Sequence, residues 1–156
     1  MFFNKRERFI RNVEIPEKIK KLMESGLWKA KDNCQLEKEL RKDFNWGDKI
    51  GLFNNLKKDD AGLLITSETN EIKNIYGTYR TRDRDDEKSL DWIDANKAIM
   101  IAVNYDEESI CLDYRFSKTN PRILATYFET LPKRNGRWKE IAKDEDELIM
   151  KLGIKI

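Results

Sequence analysis

The stretch Ala98 to Arg115, AIMIAVNYDEESICLDYR, constrains the fold more than any other part of the chain. Two apolar runs flank an acidic four-residue turn, Asp106-Glu107-Glu108-Ser109. Between Ala98 and Tyr105 both alternating sets are apolar: Ile99, Ile101 and Val103 on one side, Ala98, Met100 and Ala102 on the other. A strand of this kind is covered on both faces and sits centrally in a sheet. Ile110 to Phe116 alternates instead, with Ile110, Leu112, Tyr114 and Phe116 on one face and Cys111, Asp113 and Arg115 on the other. Asp113 and Arg115 therefore share a face and are placed to pair or to reach a ligand. Because Asp113 lies among apolar neighbours, it needs a partner such as Arg115 or a backbone amide. Pro121 to Phe128 continues the meander. A final helix follows, capped by Asp144 with Glu147, carrying Leu148, Ile149 and Leu152 as its core stripe and stopping at Gly153.

The first 45 residues read as helical. Asn4 with Glu7 forms a capping-box pattern for a short helix that turns Phe9 and Ile10 inward. Pro16 suits a first helical position and Gly26 a left-handed stop. Between them Ile19, Leu22 and Met23 share a face, and Leu27 is placed to close back on Leu22. Asp32 with Gln35 marks the start of a second helix with Leu36 and Leu40 inward. Strand patterns follow at Lys49–Phe53, Leu63–Thr66 and Ile72–Tyr79. Arg80 to Asp91, RTRDRDDEKSLD, has almost no apolar residue and reads as a solvated loop or, more sharply, a partner-binding one. No linker or internal repeat divides the chain. The pattern predicts a single domain over residues 1–156 with an α+β fold. Its core is a largely antiparallel central sheet of about five to six strands, with N-terminal helices and a C-terminal helix packed against it.

Composition narrows the chemistry. Hydrophobic residues make up 39% of the chain, enough for a packed core, and charged residues 38%, most of which must be solvated. The net charge is only +2, so the basic excess of a dedicated nucleic-acid-binding domain is missing. The lysines of the N-terminal third (Lys18, Lys20, Lys21, Lys29 and Lys31), interleaved with Phe9 and Trp28, read as the solvated side of amphipathic helices. A nucleic-acid partner is not expected. There is no histidine, which removes imidazole bases, Ser-His-Asp and Cys-His systems and histidine-containing zinc sites. The two cysteines, Cys34 and Cys111, sit in apolar surroundings and read as small core residues. No glycine-rich phosphate loop occurs. No apolar run reaches a membrane span, and the charged N-terminus lacks a secretory apolar core. A cytoplasmic protein without membrane partner, cofactor, metal or catalytic residues is the expectation.

The C-terminal half carries a resemblance. An apolar strand leads into Tyr105-Asp106-Glu107, then Ile110-Cys111-Leu112-Asp113-Tyr114-Arg115. Pro121-Arg122-Ile123-Leu124, Arg137-Trp138, Ile141-Ala142 and the capped helix from Asp144 to Ile154 complete the pattern. Over roughly its last sixty residues the chain resembles the SUKH superfamily, which includes Syd and homologues of the Smi/Knr-type cell-wall-synthesis regulator. The resemblance implies helices packed on a largely antiparallel sheet. It also implies a non-enzymatic immunity protein that binds and occludes a cognate toxin domain encoded beside it, such as a nuclease. A regulatory scaffold, as in the eukaryotic homologues, is the alternative.

Many toxins that act on nucleic acid present basic surfaces, which acids and aromatics complement. Two clusters here fit that role. One is Tyr105, Asp106, Glu107 and Glu108 at a strand end, and the other is Asp91, Trp92 and Asp94 beside the charged loop. Asp113 and Arg115 complete the candidate partner-binding set. Where superfamily members commonly carry glycines, this chain has Asp106 to Ser109, so the turn is the part most specific to its own partner.

Overall fold

A computed structural model describes residues 9–10, 13–53, 97–128 and 137–155, the first four of them as backbone alone. Across these residues the chain is α+β. Two short strands, β1 (Phe9–Ile10) and β2 (Val13–Glu14), pair antiparallel. Helices α1 (Glu17–Ser25) and α2 (Gln35–Asp43) follow. Strands β3 (Ala98–Val103), β4 (Ser109–Asp113), β5 (Arg122–Tyr127) and β6 (Arg137–Ala142) form a four-stranded antiparallel meander in sequence order. Helix α3 (Glu145–Lys151) is the last element among the described residues. The expected sheet of five to six strands is thus seen as four, and the strand patterns at 63–66 and 72–79 and the charged loop 80–91 fall outside the described residues. Among the described residues no helix is long and apolar enough to cross a membrane.

The N-terminal expectation is corrected at Phe9 and Ile10, which are extended and paired rather than helical. A capping box alone does not offset the cost of nucleating one or two helical turns, whereas Ile10 opposite Val13 suits a strand pair. Helix α1 begins one residue later than read: Pro16 is its N-cap at φ −54°, and its carbonyl accepts from Lys20 N–H. At the other end Gly26 adopts φ 78°, letting its own N–H reach Met23 O and Leu27 N–H reach Leu22 O. The backbone of Leu27 closes back as expected, but its side chain stays exposed. Helix α2 takes Cys34 rather than Asp32 as its N-cap. Buried Glu37 in its first turn reaches back past the cap, its Oε2 accepting from Asn33 N–H at 2.9 Å. Asp144 caps α3 as read, accepting from Glu147 N–H at 2.8 Å, while Glu147 reaches back to Lys143 N–H.

Two apolar clusters sandwich the sheet. The larger gathers Ile19, Leu22, Trp28, Leu36 and Leu40 from the helical layer with Ile99, Ile110, Leu112, Ile123 and Leu148. The smaller, on the other face, holds Ala98, Met100, Cys111, Leu124 and Trp138. The β3–β4 register slips between Met100 and Ala102. This bulge breaks the simple alternation, so Ala102 joins the helix-side cluster and Val103 packs with the other. The expected facing of these two residues is therefore reversed. Leu52 forms an isolated antiparallel bridge with Ala102, so 51–53 lies along the outer edge of β3 without forming a full strand.

Candidate functional site

The turn between β3 and β4 is organised by Asn104. Its Oδ1 accepts from Asp106 N–H at 3.0 Å and from Glu108 N–H at 3.1 Å. Its backbone carbonyl takes Glu107 N–H at 3.0 Å. Such side-chain-to-backbone bonding fixes a turn locally. Glu107 sits at φ 61°, a left-handed conformation held by these bonds. The result presents Tyr105, fully exposed, beside exposed Asp106 and Glu107.

Glu108 points the other way. It is completely buried. Its Oε2 accepts from Gly47 N–H at 2.6 Å, and its Oε1 from Asp48 N–H at 3.1 Å and from Asn104 Nδ2 at 2.9 Å. Donors of this kind offset the loss of water around a buried carboxyl group. Glu108 thus ties the turn to the segment after α2, and its carboxylate is not on the surface with Asp106 and Glu107. The same segment is anchored again where Trp46 Nε1 donates to Thr126 O at 2.8 Å.

Asp113 and Arg115 lie at the other end of β4 from the turn. Arg115 Nε and Nη2 donate to the two oxygens of Asp113 at 2.9 and 3.1 Å. Arg122 Nε donates to Asp113 Oδ2 at 2.9 Å, and its guanidinium lies 4.4 Å from the Phe116 ring centroid. Asp113 and Arg115 are both buried. Their shared face was readable from the alternation; the second arginine came from the neighbouring strand, where Arg122 is directly opposite Asp113. The candidate residues therefore divide. Tyr105, Asp106 and Glu107 share one exposed surface, Glu108 supports it from beneath, and Asp113 with Arg115 forms a separate internal ion pair. Trp92 and Asp94 fall outside the described residues.

Reactive groups are closed off. Burial pushes the Cys111 thiol well above its ordinary value, and the charge of Asp113 adds to the effect. Both cysteines are free and buried, which disfavours the thiolate in Cys111. Among the described residues no group of three or more His, Cys, Asp or Glu side chains is placed to hold a metal ion. Asn104 is the residue that sequence reasoning missed. The signal was present as an Asn two residues before an acidic turn position. No protein-family model, curated protein or solved structure matches the chain.

Proposed function

We propose that this chain is a cytoplasmic, non-enzymatic immunity protein of the SUKH type, which binds a cognate toxin domain and blocks its active site. The observation that carries the reading is the exposed Tyr105-Asp106-Glu107 surface on a rigid turn. An aromatic side chain needs no large entropy loss to act as an anchor, and neighbouring carboxylates steer a basic partner toward it. A nucleic-acid-cleaving toxin offers such a basic surface. The rigid turn favours this reading because binding then orders little that is not already ordered. Inhibition by occlusion requires no catalytic group of this chain.

Co-expression with the toxin encoded beside it tests the proposal. The expected result is restored growth and a stable complex that co-elutes on gel filtration. Failure to rescue growth against every neighbouring toxin gene would refute it. Recovery of several housekeeping proteins and no toxin in a pull-down would move the assignment to a regulatory scaffold.

A further inference from the structure

Among the described residues, Lys49 to Phe53 forms the outer edge of the sheet beyond β3. Its backbone bonds alternate. Lys49 O accepts from Asn104 Nδ2 at 3.1 Å, and Gly51 O from Val103 N–H at 2.9 Å. Phe53 N–H donates to Ile101 O at 3.0 Å. Residues 49, 51 and 53 thus bond inward, as alternate residues of an extended edge do. The residues between them, Ile50 and Leu52, direct their N–H and C=O groups the other way. None of these four backbone groups has a hydrogen-bond partner. The side chains alternate as well: Ile50 and Leu52 pack with the helix-side cluster and Phe53 with the cluster on the opposite face. The segment is therefore an open ladder with two donors and two acceptors, and an edge of this kind is a template for another strand.

We propose that a second copy of this chain pairs with this edge, antiparallel, about a two-fold axis at Gly51. The register follows from which residues are open. With Gly51 opposite its own counterpart, Ile50 faces Leu52 of the second copy and Leu52 faces its Ile50. Each of these two pairs exchanges both N–H···O bonds, and every open group of both edges is used. The axis falls on the one residue of the segment without a side chain, at a non-hydrogen-bonded position, where opposed residues come closest. Half-buried Ile50 and Leu52 cover one another across the axis. Charge is compatible with this register. Lys49 lies across from Phe53 of the second copy, so no like charges are opposed and the ammonium can lie over the ring. Within its own chain that ammonium is already 3.5 Å from Asp32, which offsets its charge. The contact is isologous, the commonest symmetry among soluble assemblies. It is also short, at the small end of protein interfaces, so pairing is expected toward millimolar concentration. The inference does not rest on the antitoxin reading.

Two measurements on the unaltered chain test the pairing. Sedimentation velocity over about 10 μM to about 1 mM is expected to show monomer at the low end and dimer at the high end. Over the same range, amide hydrogen exchange at Ile50 and Leu52 is expected to slow roughly threefold, with Phe53 and Val103 unchanged. A monomer at every concentration would overturn the proposal. So would a dimer whose Ile50 and Leu52 amides exchange as fast as the monomer's. Slowing at both positions only when a different protein is added would give the edge to that protein and overturn the second-copy assignment. The register has its own test in Lys49→Cys combined with Phe53→Cys. These positions face each other between copies but lie roughly 13 Å apart along one strand, too far for a disulfide within the chain. Cys34 and Cys111 are buried and do not compete. Mild oxidation is expected to link two copies of the double variant and neither single variant. Absence of the link, or equal linking by either single variant, would overturn the pairing about Gly51.

Discussion

Glu108 and Asp113 show how two acids five residues apart acquire different work from their surroundings. Glu108 gathers three donors, two of them backbone N–H groups of Gly47 and Asp48. Glu108→Ala leaves those donors without their acceptor, and hydrogen bonds to a charged group are each worth about 1.5 kcal/mol or more. Asn104 Nδ2 keeps Lys49 O as an acceptor, so the expected loss comes from the two backbone N–H groups and is roughly 3 kcal/mol, read as a lower urea midpoint with an unchanged slope. Asp113 instead neutralises two guanidinium groups. Asp113→Ala removes the buried carboxylate that Arg115 and Arg122 share, and breaking a buried pair from one side costs about 3–5 kcal/mol. Urea unfolding checks this as well; a loss below 1 kcal/mol would mean that the arginines are satisfied by groups other than Asp113. The sequence distinguished these two acids only in part. The alternation of β4 put Asp113 and Arg115 on one face, so their pairing was legible. Glu108 reads as a third exposed acid of the turn, because its donors come from Gly47 and Asp48, about 60 positions away, and no local periodicity records them.

Elements whose bonds are local were the legible ones. The Asp144 cap and the stops at Gly26 and Gly153 each join residues within five positions of one another, and all three occur as read. Phe9 and Ile10 were misassigned because a capping pattern cannot report a competing strand pair. The bulge in β3 was invisible because slippage is decided by the partner strand. Residues 51–53 make the same point, since they are held to β3 across about fifty positions by only two backbone bonds and the space above Gly51. Gly51→Ala drives a Cβ into backbone atoms that cannot rotate away. It is expected to release this segment at a cost of roughly 2 kcal/mol, from two lost bonds and lost packing. Faster hydrogen exchange at Phe53 and Val103, with Ile110 unaffected, is the diagnostic measurement. Helix α3 allows a pH test. Burial raises the Glu145 carboxyl above its ordinary value, with Lys18 opposing and Asp146 adding. The folded chain therefore holds a proton more tightly than the unfolded one. The stability tied to that proton is present below the unfolded value and is lost as pH rises through the folded one. Glu145→Gln is accordingly expected to melt higher than wild type at neutral pH. The difference should narrow as pH falls to near 4, about the ordinary Glu value. A difference that does not vary with pH would contradict this.

At the scale of the whole molecule, the sheet separates two electrostatic regimes. One end of β4 holds the buried Asp113–Arg115–Arg122 network, where charge is spent on internal pairing. The other end presents Tyr105, Asp106 and Glu107 to solvent, on a turn held by Asn104 and underpinned by Glu108. Removing a charge at the first site is expected to change stability; under the proposed function, reversing charges at the second is expected to change encounters. Asp106→Lys with Glu107→Lys moves the local charge by four units on side chains that are exposed, leaving the buried Glu108 cradle in place. For a basic partner, such rim charges act mainly through long-range steering, so the association rate falls while dissociation changes little. The expected slowing is about tenfold at low salt. It should shrink as salt rises, because the screening length drops from about 10 Å at 0.1 M to about 3 Å at 1 M. The melting temperature should stay within a degree or two, as surface substitutions away from buried networks typically shift stability by about 0.5 kcal/mol or less. Stopped-flow association measured across that salt range reads both effects together. A rate insensitive to the double reversal would detach the turn from the encounter surface. A slower rate with the same salt dependence as wild type would mean that the lysines act by contact instead of by field.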